Sequence, residues 1–104
     1  MSQEVIAEDA RYPKQTITRD LVIINKKGLH ARATAKFVQC CEGYESVITI
    51  TKDEETVGGD SIMAILTLGA AKGATLRVTA TGPDAEQALD ALEALVVSRF
   101  GEGE

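Results

Sequence analysis

Two side chains in this sequence have a type and spacing suited to chemistry on an anion: His30, the only histidine, and Arg32, just beyond it. A neutral imidazole carries a nucleophilic lone pair, and a guanidinium offers a planar fork of donors that matches phosphate oxygens. Gly28 precedes them and lets the incoming loop turn tightly. An apolar run over 21–24 ends in Asn25-Lys26-Lys27-Gly28, and an alanine-rich segment of helical character starts at or just after His30. The order strand, loop, helix puts the imidazole at a helix N-terminus. There the first backbone N–H groups lack intrahelical partners and the helix dipole favours an anion over an imidazolium. These are the requirements of phosphoryl transfer onto nitrogen. Each contribution is modest, about 0.3–2 kcal/mol from the helix end and about 1.5–3 kcal/mol per charged hydrogen bond. A plainer reading has His30 only capping the helix and Arg32 in solvent, and a lone histidine does not choose between the two.

Other chemistries fit less well. Cys40 and Cys41 are adjacent, which suits neither a bridge across a fold nor the spaced pairs that hold zinc, and a metal site would have to recruit scattered carboxylates. They read as reduced thiols in a helix. Ser61 has no second histidine to serve as its base and no Gly-x-Ser-x-Gly turn around it. Gly58-Gly59 lacks the Gly-Lys-Ser/Thr ending of a phosphate-binding P-loop. No metal is therefore expected.

The elements that must position His30 and Arg32 fit one domain of 104 residues. With 44% hydrophobic residues, 26% charged and a net charge of −5, the composition is that of an ordinary soluble protein, and the acidic balance argues against nonspecific nucleic-acid binding. No apolar run approaches a membrane span, and the N-terminus lacks a secretory pattern, so a cytoplasmic location is expected. Residues 1–16 read as a flexible tail, 17–100 as the folded domain and 101–104 as a frayed end, with Gly101 stopping the last helix.

Within the domain, β-branched residues over 16–24 predict a strand, with Ile17, Arg19, Leu21 and Ile23 on one face. Ala31, Thr34, Ala35, Val38 and Cys41 predict a helix over 31–42 with Lys36 and Gln39 facing water and Gly43 as its stop. Alternation from Val47, a polar Asp53-Glu54-Glu55 turn and Thr56-Val57 predict a hairpin. Ser61 is a natural N-cap for the short segment 62–68, closed by Gly69. Leu76, Val78 and Ala80 alternate in a strand over 75–81. Ala85, Ala88, Leu89, Leu92, Leu95 and Val96 then form the stripe of a helix that Asp84 and Gln87 open as a capping box. The order βαββαβα predicts an α/β (α+β) open-faced sandwich, a four-stranded antiparallel sheet with three helices on one face and the fourth strand between the first two.

Gly28-Leu29-His30-Ala31-Arg32, followed about thirty residues later by Ser61-Ile62-Met63 and then Leu68-Gly69, resembles the HPr family, the phosphocarrier proteins of the bacterial phosphoenolpyruvate-dependent phosphotransferase system. The resemblance spans roughly 18–99 and implies the same open-faced sandwich. It implies that His30 accepts a phosphoryl group on Nδ1 from phosphorylated enzyme I and passes it to a histidine of an enzyme IIA protein. Arg32 matches the arginine that steadies the phosphoryl oxygens, with Ala31 and Arg32 offering backbone N–H groups. Ser61 matches the serine modified by HPr kinase/phosphorylase, while a simple N-cap remains its structural alternative. Leu29, Ala35, Ile62 and Met63 match an apolar docking patch for protein partners. The implied carrier is a stoichiometric phosphotransferase component that needs no metal, bound nucleotide or other cofactor and no membrane insertion, and with one exposed site it is best served as a monomer.

Many relatives read His-Ala-Arg-Pro-Ala, whereas Ala33 and Thr34 follow Arg32 here. Proline would preorganise the first helical turn; alanine is a good helix former but does not fix φ. The departure resembles proteobacterial variants, the nitrogen branch among them. The alternative function is accordingly a regulatory binding module whose phosphorylation state controls partner proteins rather than sugar transport. The final acceptor separates the two.

Overall fold

The computed structural model describes residues 15–102. The expected tail over 1–16 falls outside that range except for Gln15 and Thr16, which already belong to the first strand. In chain order the elements are β1 (Gln15–Val22), α1 (Ala31–Glu42), β2 (Val47–Lys52), β3 (Glu55–Gly58), α2 (Ile62–Thr67), β4 (Thr75–Gly82) and α3 (Ala85–Val97), followed by a 3-10 turn (Arg99–Gly101). The four strands run β1-β4-β2-β3, antiparallel throughout. The last strand enters between the first two, as the split βαβ order predicts.

Alternation decides which face of the sheet is covered. Leu21 pairs with Leu76, Ile48 with Ala80 and Ile50 with Val78, and all six are buried beneath the helices. The intervening positions carry threonines, which hydrogen-bond in cross-strand pairs on the open face: Thr16 with Thr81, Thr18 with Thr79 and Thr51 with Thr56 at 2.7–3.1 Å. β-Branched hydroxyl residues suit a strand that is dry on one side and wet on the other.

Helix α1 has the expected boundaries but a rotated inner face. Ala33, Thr34, Phe37, Val38 and Cys41 are buried, while Ala31 and Ala35 face solvent. Phe37 accounts for the rotation, because seating its ring at 0% exposure buries more apolar area than either alanine could. Gly43 does cap this helix, but at φ −78° in the ordinary right-handed region, so its lack of a side chain is not what ends it. Asp84 caps nothing in α3 with its side chain. Its carboxylate instead accepts from the Glu45 and Ser46 N–H groups, both at 2.9 Å, and from Ser46 Oγ at 2.6 Å. The expected capping box fails because three donors before β2 outcompete one at the helix start.

Candidate functional site

The site is built where β1, the loop after it and the segment following α3 converge on the start of α1. Gly28 makes that convergence possible. Its φ is +68°, and a Cβ there would lie 2.6 Å from the Ala70 carbonyl oxygen and 2.9 Å from Ala71 Cα. The close approach is fixed by the Leu29 N–H, which donates to Ala70 O at 2.9 Å. Inside the loop, Asn25 is wholly buried, and its Nδ2 donates to Gly28 O at 2.9 Å.

His30 occupies the N-cap of α1 in an extended conformation, φ −77° and ψ −178°, and makes no side-chain cap bond. The first helical hydrogen bond runs from Thr34 N–H to His30 O at 2.8 Å. The N–H groups of Ala31, Arg32 and Ala33 precede it and therefore have no intrahelical acceptor. The imidazole is 27% exposed, with Nε2 on the carboxylate of Glu102. Among the described residues, Nδ1 makes no hydrogen bond.

Around the ring lies an open depression of about 270 Å³ lined by Lys27, His30, Arg32, Lys36, Gly101 and Glu102. Three cationic side chains and a helix start around one small volume are features that favour an anion. Hydrogen bonding from His30 holds the Glu102 carboxyl below the usual range, with Asn25 adding to the effect against some desolvation, so the group is a carboxylate at neutral pH.

His30 and Arg32 are brought together as the sequence predicts. Four contributors were not anticipated. Lys27 was readable as a loop cation, and Lys36 lies one helical turn beyond Arg32 on the same side. Lys36 does not simply face water: its Nζ donates to Phe100 O at 2.6 Å. Asn25 gave no signal beyond its place in a turn, and Glu102 falls in the segment expected to fray. That expectation is corrected for Gly101 and Glu102, which lie in and just after the 3-10 turn.

The remaining candidates lie elsewhere. Ser61 caps α2, accepting from Ala64 N–H at 3.2 Å. Ile62 and Met63 are 39% and 71% exposed, and Ala35 is exposed on α1, as a docking patch requires. None of these residues lines the depression. Leu29 does not belong with them. It is 5% exposed and packed in the core, because the backbone bond to Ala70 turns its side chain inward. Of the cysteines, Cys40 is half-buried and Cys41 buried, both free thiols; burial foremost, with nearby Cys40, Asp60 and Glu42, pushes Cys41 up to about 12. No group of three or more potential metal ligands occurs among the described residues, nor does any helix there have the length and apolarity to cross a membrane.

Comparison with known proteins matches the same region. The family model for the PTS HPr component phosphorylation site covers residues 17–98. The phosphocarrier protein HPr of Cupriavidus necator is 44% identical over 88 residues, 85% of this chain and 99% of that protein. The HPr of Pseudomonas aeruginosa is 44% identical over 86 residues, 82% of this chain and 96% of the other. Among solved structures, HPr-C-His from Thermoanaerobacter tengcongensis superposes with a TM-score of 0.76 at 42% identity, covering 85% of this chain and 97% of that one.

Proposed function

Because the chain belongs to the HPr family of phosphotransferase-system phosphocarriers, we propose that His30 is the residue on which it carries the phosphoryl group. It is a stoichiometric carrier between phosphotransferase-system components, working with enzyme I and enzyme IIA proteins in the cytoplasm. The observation that carries the assignment to His30 is its placement: an imidazole at an uncapped helix start, Nδ1 unengaged among the described residues, in a depression with Lys27, Arg32 and Lys36.

Phosphoryl transfer involves little covalent work by the protein, so positioning and charge stabilisation dominate. Nδ1 attacks phosphorus and displaces the donor imidazole. The equatorial oxygens then meet the N–H groups of Ala31 and Arg32 and the Arg32 guanidinium. Partner release must be quick for a carrier, so the docking face is small and transient in class, formed by Ala35, Ile62 and Met63 on a monomer.

Ser61 is proposed as a second, regulatory phosphorylation site for an HPr kinase/phosphorylase. Adding about −1.5 to −2 charges beside Ile62 and Met63 would oppose docking of an acidic or apolar partner surface. Incubation with phosphoenolpyruvate and enzyme I should place an acid-labile, base-stable label on His30. Failure to label with a competent enzyme I would reject the assignment.

A further inference from the structure

The described segment after α3 folds back over the site. Beyond α3, Arg99, Phe100 and Gly101 all take left-handed backbone angles, with φ of 57°, 55° and 74°. Two consecutive non-glycine residues in that region cost about 1–2 kcal/mol each, so other contacts must hold them there. Phe100 is 1% exposed within the core, and its carbonyl accepts from Lys36 Nζ. This anchored reversal delivers Glu102 to His30. Oε2 meets Nε2, while Oε1 accepts from Asn25 Nδ2 at 3.0 Å. The buried Asn25 amide, itself fixed on Gly28 O, thus orients the carboxylate that orients the imidazole.

We infer that Glu102 is a positioning residue for phosphoryl transfer: it accepts the Nε2–H hydrogen bond of His30 and so leaves the Nδ1 lone pair as the nucleophile. The inference rests on reading His30 as the phosphoryl acceptor. Which imidazole nitrogen keeps its proton is set by the partner of the other, and a carboxylate on Nε2 selects the tautomer protonated there. In the transfer, a P–N bond forms at Nδ1 while the donor's P–N bond breaks and returns its electron pair to the donor ring. No proton has to leave, because Nε2–H is retained. The ring becomes positive as Nδ1 is consumed, and that charge develops against the Glu102 carboxylate. Repulsion between Glu102 and the incoming phosphoryl group is offset by distance across the ring and by Lys27, Arg32 and Lys36 in the same depression.

The test uses the full chain with His30 ring nitrogens labelled, together with phosphorylated enzyme I. With the ring neutral, the unmodified protein should show Nε2–H alone. Glu102→Ala should show a mixture of tautomers and accept the phosphoryl group about 5- to 30-fold more slowly. Glu102→Gln, whose amide oxygen can still accept from Nε2–H, should keep the single tautomer and recover part of the rate, which a merely structural role of the strap would not produce. A Glu102→Ala rate equal to that of the unmodified protein overturns the inference, whatever the tautomer. Absence of label at His30 in the unmodified protein is a separate result, which overturns the reading of His30 itself.

Discussion

The three helices begin in three different ways. At α2 the Ser61 hydroxyl closes the helix on itself by accepting from Ala64 N–H. At α3 the Asp84 carboxylate turns away from its own helix to hold Glu45 and Ser46. At α1 the N-cap is His30, whose ring bonds to Glu102 and not to the helix, so the first-turn donors have no cap from it. The difference decides where an anion can bind: a helix start whose donors are used internally offers it none, whereas one left open among cations is available to it.

The sharpest way to break this contrast is to remove the ring. His30→Ala should abolish phosphoryl acceptance from enzyme I while leaving the circular dichroism spectrum nearly unchanged, since the ring is partly exposed and caps nothing, with the urea midpoint lowered only by the loss of the bond to Glu102. Retained labelling would show that another residue carries the group. Gly28→Ala should damage both fold and site. A left-handed alanine costs about 1–2 kcal/mol, and the overlap with Ala70 O adds to it, for a loss of roughly 2–4 kcal/mol in urea unfolding. A loss below about 1 kcal/mol would mean that the loop moves freely. Arg32→Ala removes one charged fork from the open start and should slow transfer by about 10-fold or more without changing stability. An unchanged rate would leave Lys27 and Lys36 as the cations that matter.

Ser61→Ala provides the opposite control. Loss of a hydroxyl cap should destabilise by about 1 kcal/mol with transfer from enzyme I unaffected. If transfer falls instead, α2 takes part in docking through its own start and not only through Ile62 and Met63.

Much of this arrangement was readable because it depends on local pattern. The two-residue alternation of Leu76, Val78 and Ala80 and the stripe from Ala85 to Val96 specify burial directly, and both are observed. His30 and Arg32 sit close in sequence at one helix start, and because His30 is the extended N-cap outside the helix, both can line the same depression. Phe37 shows where pattern is weaker: alanines at helical spacing cannot fix a face when a larger side chain competes for the core. Asp84 and Glu102 show where it fails. Their partners are 38 and 72 residues away in sequence, Ser46 and His30, and no periodicity encodes such a contact. For Glu102 the obstacle was also conformational, because Phe100 at φ 55° is an angle that a non-glycine residue seldom adopts without tertiary support.

The helix start that serves only the fold also predicts a pH response. Hydrogen bonds from Ser46 Oγ, then from the Glu45 and Ser46 N–H groups, hold the Asp84 carboxyl below its ordinary value of 3.8. In the window below that value the unfolded chain binds more protons at this position than the folded one, so stability rises with pH there. The contribution is complete above the ordinary carboxylate range and disappears as pH falls through the lower folded value. Asp84→Asn keeps an acceptor but cannot be charged. Its deficit in urea midpoint relative to the unmodified protein should therefore be largest near neutral pH and shrink as pH is lowered from about 6 to about 2.5. Glu102, also lowered by its partners, acts in the same direction, but it is present in both proteins and cancels in the difference. A deficit that stays constant across that range would mean that Asp84 holds the turn before β2 by shape and hydrogen-bond geometry alone, leaving the open start at α1 as the place where charge at a helix N-terminus does functional work.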